Sequence, residues 1–424
     1  MSQARPVAMS PTLAADELLA RRTREGKFVL SMASGEIGLP VHPELSLQLA
    51  YAAAMGSYGP VAGSELLRSA AAGYWARRGL EIDAELVVAG PGSKSLLYAL
   101  MLAIGGDVII AVPSWVSYAA QTALAGARAL PVPIVAGNGG VPDPDQLRDA
   151  VAQARKEGRN PRIIVVTVPD NPTGTIASDG ILRRLAVIAR ELDLIIISDE
   201  IYGDLVYDNA AVTSPARHAP ERTIITTGLT KNLALGGWRT GVARLPDSKV
   251  GRSIHTRLLA VASQIWSTPP APIQAAAAYA FAEPPGVIKR IEASNRLHKT
   301  VVRAVAEQLI AAGAKVRPIT ATCYLYPDFE PLRHELSTTH AINDSDALAQ
   351  TILEKYGIGS IPASAFGESP HALRIRLATS RLYGDTAEQQ TTALTATSPL
   401  DLPWIRDSIA RIGDAVHELT GALH

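Results

Sequence analysis

The sequence predicts an α/β protein: a mostly parallel sheet with helices on both faces, followed by a smaller α+β unit. Three observations carry this reading. Short apolar runs rich in Val and Ile recur between residues 86 and 245, separated by helical or turn-forming stretches. The runs are continuous rather than alternating, as strands buried on both faces are. After residue 246 the texture changes to long helical patterns with brief strands. The chain has 424 residues, more than one ordinary core organises, so two domains are expected.

Taken in order, LVVAG (86–90) reads as a strand and SKSLLYALMLAI (93–104) as the helix after it. DVIIAV (107–112) and RALPVPI (128–134) read as strands. RIIVVTV (162–168) and LIIIS (194–198) each follow a helical segment, and TIITTG (223–228) and RTGVARL (239–245) complete the series. Strands alternating with helices imply parallel pairing. Ligands in such sheets bind beyond the strands' carboxyl ends.

Beyond residue 246, helical patterns dominate to about 312, including a long one from Pro284 to Ala312. Short strands are expected near 314–317 and 321–327, a helix near 344–356 and a strand at LRIRLA (373–378). The last helix places Leu402, Ile405, Ile409, Ile412, Val416 and Leu419 on one face, three and four apart. Residues 12–26 also have helical spacing, and the N-terminal segment is expected to pack with the C-terminal unit. Two polar stretches, about 330–343 and 381–401, read as surface loops. The expected division is an N-terminal segment at 1–45, a large domain at 46–295 and a small domain at 296–424.

Composition narrows the function. Lys and Arg number 40 against 40 Asp and Glu, so no global field draws the chain toward nucleic acid or an anionic membrane. An anion site must be built locally. No apolar stretch reaches the roughly 20 residues of a membrane helix. Cys323 is the single cysteine, which fits a reducing, cytoplasmic setting. No metal-ligand pattern stands out.

Four local signals occur in order at strand ends: GPGSK (90–94), PDNPTG (169–174), SDEIYGD (198–204) and TKNLALGGWRTG (230–241). Each alone is an ordinary turn or loop. GPG lacks the third glycine of a dinucleotide-binding fingerprint. Together, from about Ser31 to Ser380, the four resemble the fold-type I enzymes that use pyridoxal 5′-phosphate (PLP), in particular the class I and II aminotransferases of the aspartate aminotransferase type.

The resemblance implies the PLP-dependent transferase fold, with a mostly parallel, seven-stranded large-domain sheet flanked by helices. Lys231 matches the lysine that holds the cofactor as a Schiff base and then serves as general acid and base. Asp199 matches the carboxylate that keeps the pyridine nitrogen protonated. Asn171 and Tyr202 match the donors to the phenolate oxygen. Gly92, Ser93, Lys94, Thr230 and Arg239, the last eight residues after Lys231, match the phosphate site. Tyr58, in SYGPVAG, matches a tyrosine that reaches the phosphate from a partner subunit, which implies a homodimer with shared active sites. Trp115 matches the aromatic stacked on the ring, and Tyr118, one turn on, is a further candidate to line the pocket.

The α-carboxylate of an amino acid calls for an arginine. Aligning ALRIRLATS on its trailing ATS puts Arg374 at the family's carboxylate position. Arg376, two residues on, is a second candidate. Gly35, in SGEIG, matches the glycine whose backbone approaches the substrate.

The chain also departs from the pattern. Gly228 stands where Ser is common, GEIGLPVHP is one residue longer than usual, and ATCYLYP and Ala363 alter the small domain. These features bear on the substrate rather than the cofactor. The expected function is amino transfer between an α-amino acid and a 2-oxo acid. The alternative is elimination, cyclisation or carbon–carbon bond formation on the same scaffold.

Overall fold

In a computed structural model, described over residues 7–421, seven strands form one twisted sheet. Their order is Val87–Gly90, Gly241–Arg244, Thr223–Gly228, Ile195–Asp199, Pro161–Thr167, Asp107–Val112 and Ala129–Pro133. Six run parallel. Gly241–Arg244 is antiparallel to both of its neighbours.

Period-2 alternation divides each strand between two cores. Ile109, Ile164, Val166 and Ile196 face Leu147, Val151, Leu182 and Leu185. Those partners lie on helices Pro144–Lys156 and Asp179–Glu191. Ile110, Ile163, Val165 and Ile197 point the other way, against Leu96, Leu100, Ile254 and Leu258. Those belong to helices Ser93–Ile104 and Lys249–Ile265. A third core joins Val87, Ala89 and Ile225 to Trp75 and Phe281.

A second assembly surrounds a three-stranded antiparallel sheet, Ile361–Pro362, Ile375–Ala378 and Tyr324–Leu325. Leu30–Ser31 pairs in parallel with Ile358–Gly359, so the start of the chain returns to its C-terminal part. Met32, Val305, Leu348, Ile375, Ile405, Ile412 and Val416 share this core. The 27-residue helix Pro285–Ala311 belongs to both halves. Its Val287 packs beneath the large sheet, whereas its Leu297, Val301 and Leu309 pack in the second core.

Three expectations are corrected. Residues 314–317 form no strand, only an isolated bridge from Lys315 to Asp328. The stretch 330–343, read as loop, contains helix Arg333–His340, anchored by buried Leu336. The stretch 381–401 contains helix Ala387–Thr395. That helix starts with a capping box between Thr386 and Gln389 and buries Ala393. Among the described residues, no helix is long and apolar enough to cross a membrane.

Candidate active site

A cavity of about 630 Å³ opens at the carboxyl ends of the parallel strands. Strand Val87–Gly90 leads into Gly92, which caps helix Ser93–Ile104 with φ 89°. A Cβ on Gly92 would lie 2.4 Å from Arg239 Nη2, so glycine lets this guanidinium rest against the helix start. Arg239 itself holds φ 52°, a left-handed conformation costing about 1–2 kcal/mol. Its Nη1 donates to the Gly236 carbonyl at 2.9 Å. Lys94 Nζ stands 5.1 Å from the Trp115 ring centroid. Burial, together with Arg239 and Lys231, pulls the Lys94 ammonium below its ordinary pKa. Ser93 and Thr230 line the same end. Exposed N–H groups at a helix start add positive potential there.

Asp199 closes strand Ile195–Asp199 and is buried. Tyr118 Oη donates to Asp199 Oδ2 at 3.0 Å and lies 2.7 Å from Thr167 Oγ1. Thr226 Oγ1 donates to Asp199 Oδ1 at 3.4 Å. Burial outweighs these donors and pushes the carboxyl up to about 6. A cation bound against it would reverse that shift. Trp115 meets Tyr118 edge-on, with centroids 5.2 Å apart.

Lys231 follows strand Thr223–Gly228, and its Nζ donates to the Gly35 carbonyl at 2.5 Å. Tyr202 Oη lies 2.9 Å from Tyr324 Oη, and Asn171 Nδ2 donates to Tyr202 Oη at 3.4 Å. Gly35 leaves room for Tyr324: a Cβ there would sit 2.2 Å from Tyr324 Oη, and the buried tyrosine would have to shift. The same reasoning explains Gly228, where a Cβ would lie 2.8 Å from the Thr240 carbonyl oxygen. The antiparallel strand presses too close for a serine.

The two candidate arginines are placed differently. Arg374 precedes strand Ile375–Ala378 and does not line the cavity. Its guanidinium is held by Asp328 at 2.9 Å and Glu368 at 3.0 Å. Arg376, only 1% exposed, lines the cavity instead. Its Nη1 donates to Asn171 Oδ1 at 3.1 Å, its Nη2 donates to the Ala33 carbonyl, and its Nε has no partner. Tyr58 is 88% exposed and does not reach the cavity of its own chain.

The cavity also gathers residues the sequence reading did not single out. Tyr324 and Ser34 line it, as do Thr12, Leu13 and Asp16 of helix Pro11–Arg24. Helical spacing alone marked 12–26 as amphipathic. Nothing local said which face would meet a site more than 150 residues away in sequence.

Lys94, Lys231, Arg239 and Arg376 all face the cavity, and none forms a salt bridge among the described residues. A built site with four such cations and one buried acid suits a phosphorylated anion with one protonatable ring nitrogen. PLP has that chemistry: its phosphate fits the Lys94–Arg239 end and its pyridine nitrogen fits Asp199. Fold and donor set together define a PLP-dependent enzyme of fold type I. The chain belongs to the class I and II aminotransferases, whose family model matches residues 41–383.

An aspartate/prephenate aminotransferase of Thermus thermophilus is 31% identical over 382 residues, 88% of this chain and 92% of its own length. The Cereibacter sphaeroides enzyme of that name is 31% identical over 387 residues, 88% of this chain and 92% of its own. An aspartate aminotransferase from Thermus thermophilus, solved with maleate, superposes with a TM-score of 0.81 at 27% identity. That match spans 96% of this chain and 97% of the other. The protein is thus a PLP-dependent aminotransferase acting on amino-acid and oxo-acid substrates.

Proposed function

We propose that this cavity moves an amino group from an α-amino acid to a 2-oxo acid, with Lys231 as covalent anchor and proton carrier. The observation that carries the reading is the set of four cations without salt bridges facing a single buried acid, Asp199. When bound, PLP supplies an electron sink for the electrons left at the substrate's Cα.

The chain's own groups do the rest. Asp199 holds the proton on the ring nitrogen, with Tyr118 and Thr226 donating to the carboxylate. Asn171 and Tyr202 direct donors at the phenolate oxygen. The helix start at Gly92 and Ser93, with Lys94, Thr230 and Arg239, neutralises the phosphate. Trp115 covers the ring face. Arg376, rather than Arg374, receives the α-carboxylate, where a charge-assisted contact orients the Cα–H bond. Lys231, freed when substrate takes its place, carries the proton off Cα.

We further propose a homodimer in which Tyr58 completes the partner's phosphate site. Exposed Tyr51, Met55, Tyr58 and Leu66 support this, since large apolar side chains gathered on a surface mark an interface. A cytoplasmic setting belongs to the same proposal and rests on the single, buried Cys323.

The test is a single-turnover assay with the PLP-loaded enzyme. An amino acid alone is expected to yield one 2-oxo acid per site and then stop, and an added 2-oxo acid restores turnover. Continued turnover with ammonia release and no acceptor would mark an elimination instead.

A further inference from the structure

The charges of the cavity fall into a ledger that constrains the substrate's side chain. Its cations are Lys94, Arg239, Lys231 and Arg376. Under the function proposed above, the first two face the phosphate, the third is the anchoring amine and the fourth meets the α-carboxylate. No basic residue of the cavity is left for a second carboxylate.

The remaining charged groups are acidic. Asp16, on helix Pro11–Arg24, and Glu36 both line the cavity. Glu36 is neutralised by Arg381 at 2.8 Å. Asp16 forms no salt bridge among the described residues, and half-burial raises its carboxyl above the ordinary value. Burial is the largest cause; Ser34, Arg381 and Arg376 pull the other way, and neither arginine forms an ion pair with Asp16.

We infer that Asp16 selects amino-acid substrates whose side chain ends in a cation, an amine or a guanidinium, over dicarboxylates. The inference rests on the cavity reading of the preceding subsection. A dicarboxylate would bring its second anion toward Asp16, with Arg381 already paired to Glu36 and Arg376 committed to the α-carboxylate. An ω-amino group in that place would form the missing pair. The effect is one of orientation and affinity, so Asp16 is a specificity-determining residue rather than a catalytic one.

The experiment follows the absorbance change of the PLP-loaded enzyme mixed with ornithine, lysine, aspartate, glutamate or alanine alone. The apparent second-order rate for ornithine or lysine is expected to exceed those for aspartate, glutamate and alanine by about tenfold or more. In Asp16→Asn that ratio is expected to fall at least about fivefold, and in Asp16→Lys to invert toward the dicarboxylates. A wild-type preference for aspartate, glutamate or alanine overturns the inference, as does a ratio unmoved by both substitutions. Failure of the underlying reading looks different: no donor, alanine included, would then change the absorbance.

Discussion

Arg376 Nη1 donates to Asn171 Oδ1 at 3.1 Å, joining residues 205 positions apart at the floor of one cavity. The bond ties the proposed carboxylate site to the proposed cofactor site. Arg376→Ala is therefore expected to raise KM for amino acids by the worth of a charged contact, about 1.5–3 kcal/mol, or roughly 10- to 150-fold. Arg374→Ala breaks only the pairs to Asp328 and Glu368 and is expected to leave KM within about twofold. The reverse pattern in steady-state kinetics would return the role to Arg374.

Lys231→Ala is expected to abolish covalent retention of the cofactor. After borohydride treatment and denaturation, mass spectrometry should find no PLP attached to the chain. A normal yield of reduced adduct would place the reactive amine elsewhere, with Lys94 the next candidate in the cavity.

Asp199 has a signature in the ligand-free protein. Its carboxyl is raised by burial to about 6, against about 3.9 in an unfolded chain. Between those values the native state holds more protons than the unfolded one, so this group's contribution to stability falls as pH rises through that window. At neutral pH the ionised, buried carboxylate costs roughly 3 kcal/mol. Asp199→Asn is expected to raise the ligand-free melting temperature at pH 7.5 and to lose that advantage near pH 4. An equal difference at both pH values would show that Asp199 does not titrate in this window. The same variant is expected to lose amino transfer by roughly 100-fold or more, because the ring-nitrogen proton loses its counter-charge.

Gly35→Ala forces a methyl group toward Tyr324 Oη, at 2.2 Å before any relaxation. Overpacking of this kind costs about 1–3 kcal/mol, read as a lowered melting temperature. Adding Tyr324→Phe removes the hydroxyl and is expected to restore much of the loss. No restoration in the double variant would mean that the methyl group meets something else.

The sequence made the strand-end chemistry legible because it is local. Lys231, Asp199, Asn171 and Arg239 each sit within a few residues of a strand end, where the strand itself sets direction. The two arginines were harder. Arg374 and Arg376 lie two residues apart, so strand alternation cannot separate them, and only the positions of Asp328 and Glu368 decide which is already paired. The short helices Arg333–His340 and Ala387–Thr395 were read as loops because their polar, Ser- and Thr-rich composition hides a single buried anchor each. The contribution of helix Pro11–Arg24 to the cavity depends on Leu30–Ser31 pairing with Ile358–Gly359, a contact across more than 300 residues.

Helix Pro285–Ala311, with 27 residues rising 1.5 Å each, is about 40 Å long. One end is rooted beneath the large sheet and the other in the C-terminal core. It acts as a stiff beam through the joint between the halves. Wide hinging there would have to snap a continuous ladder of backbone hydrogen bonds. The beam therefore resists any relative movement of the two cores larger than a tilt.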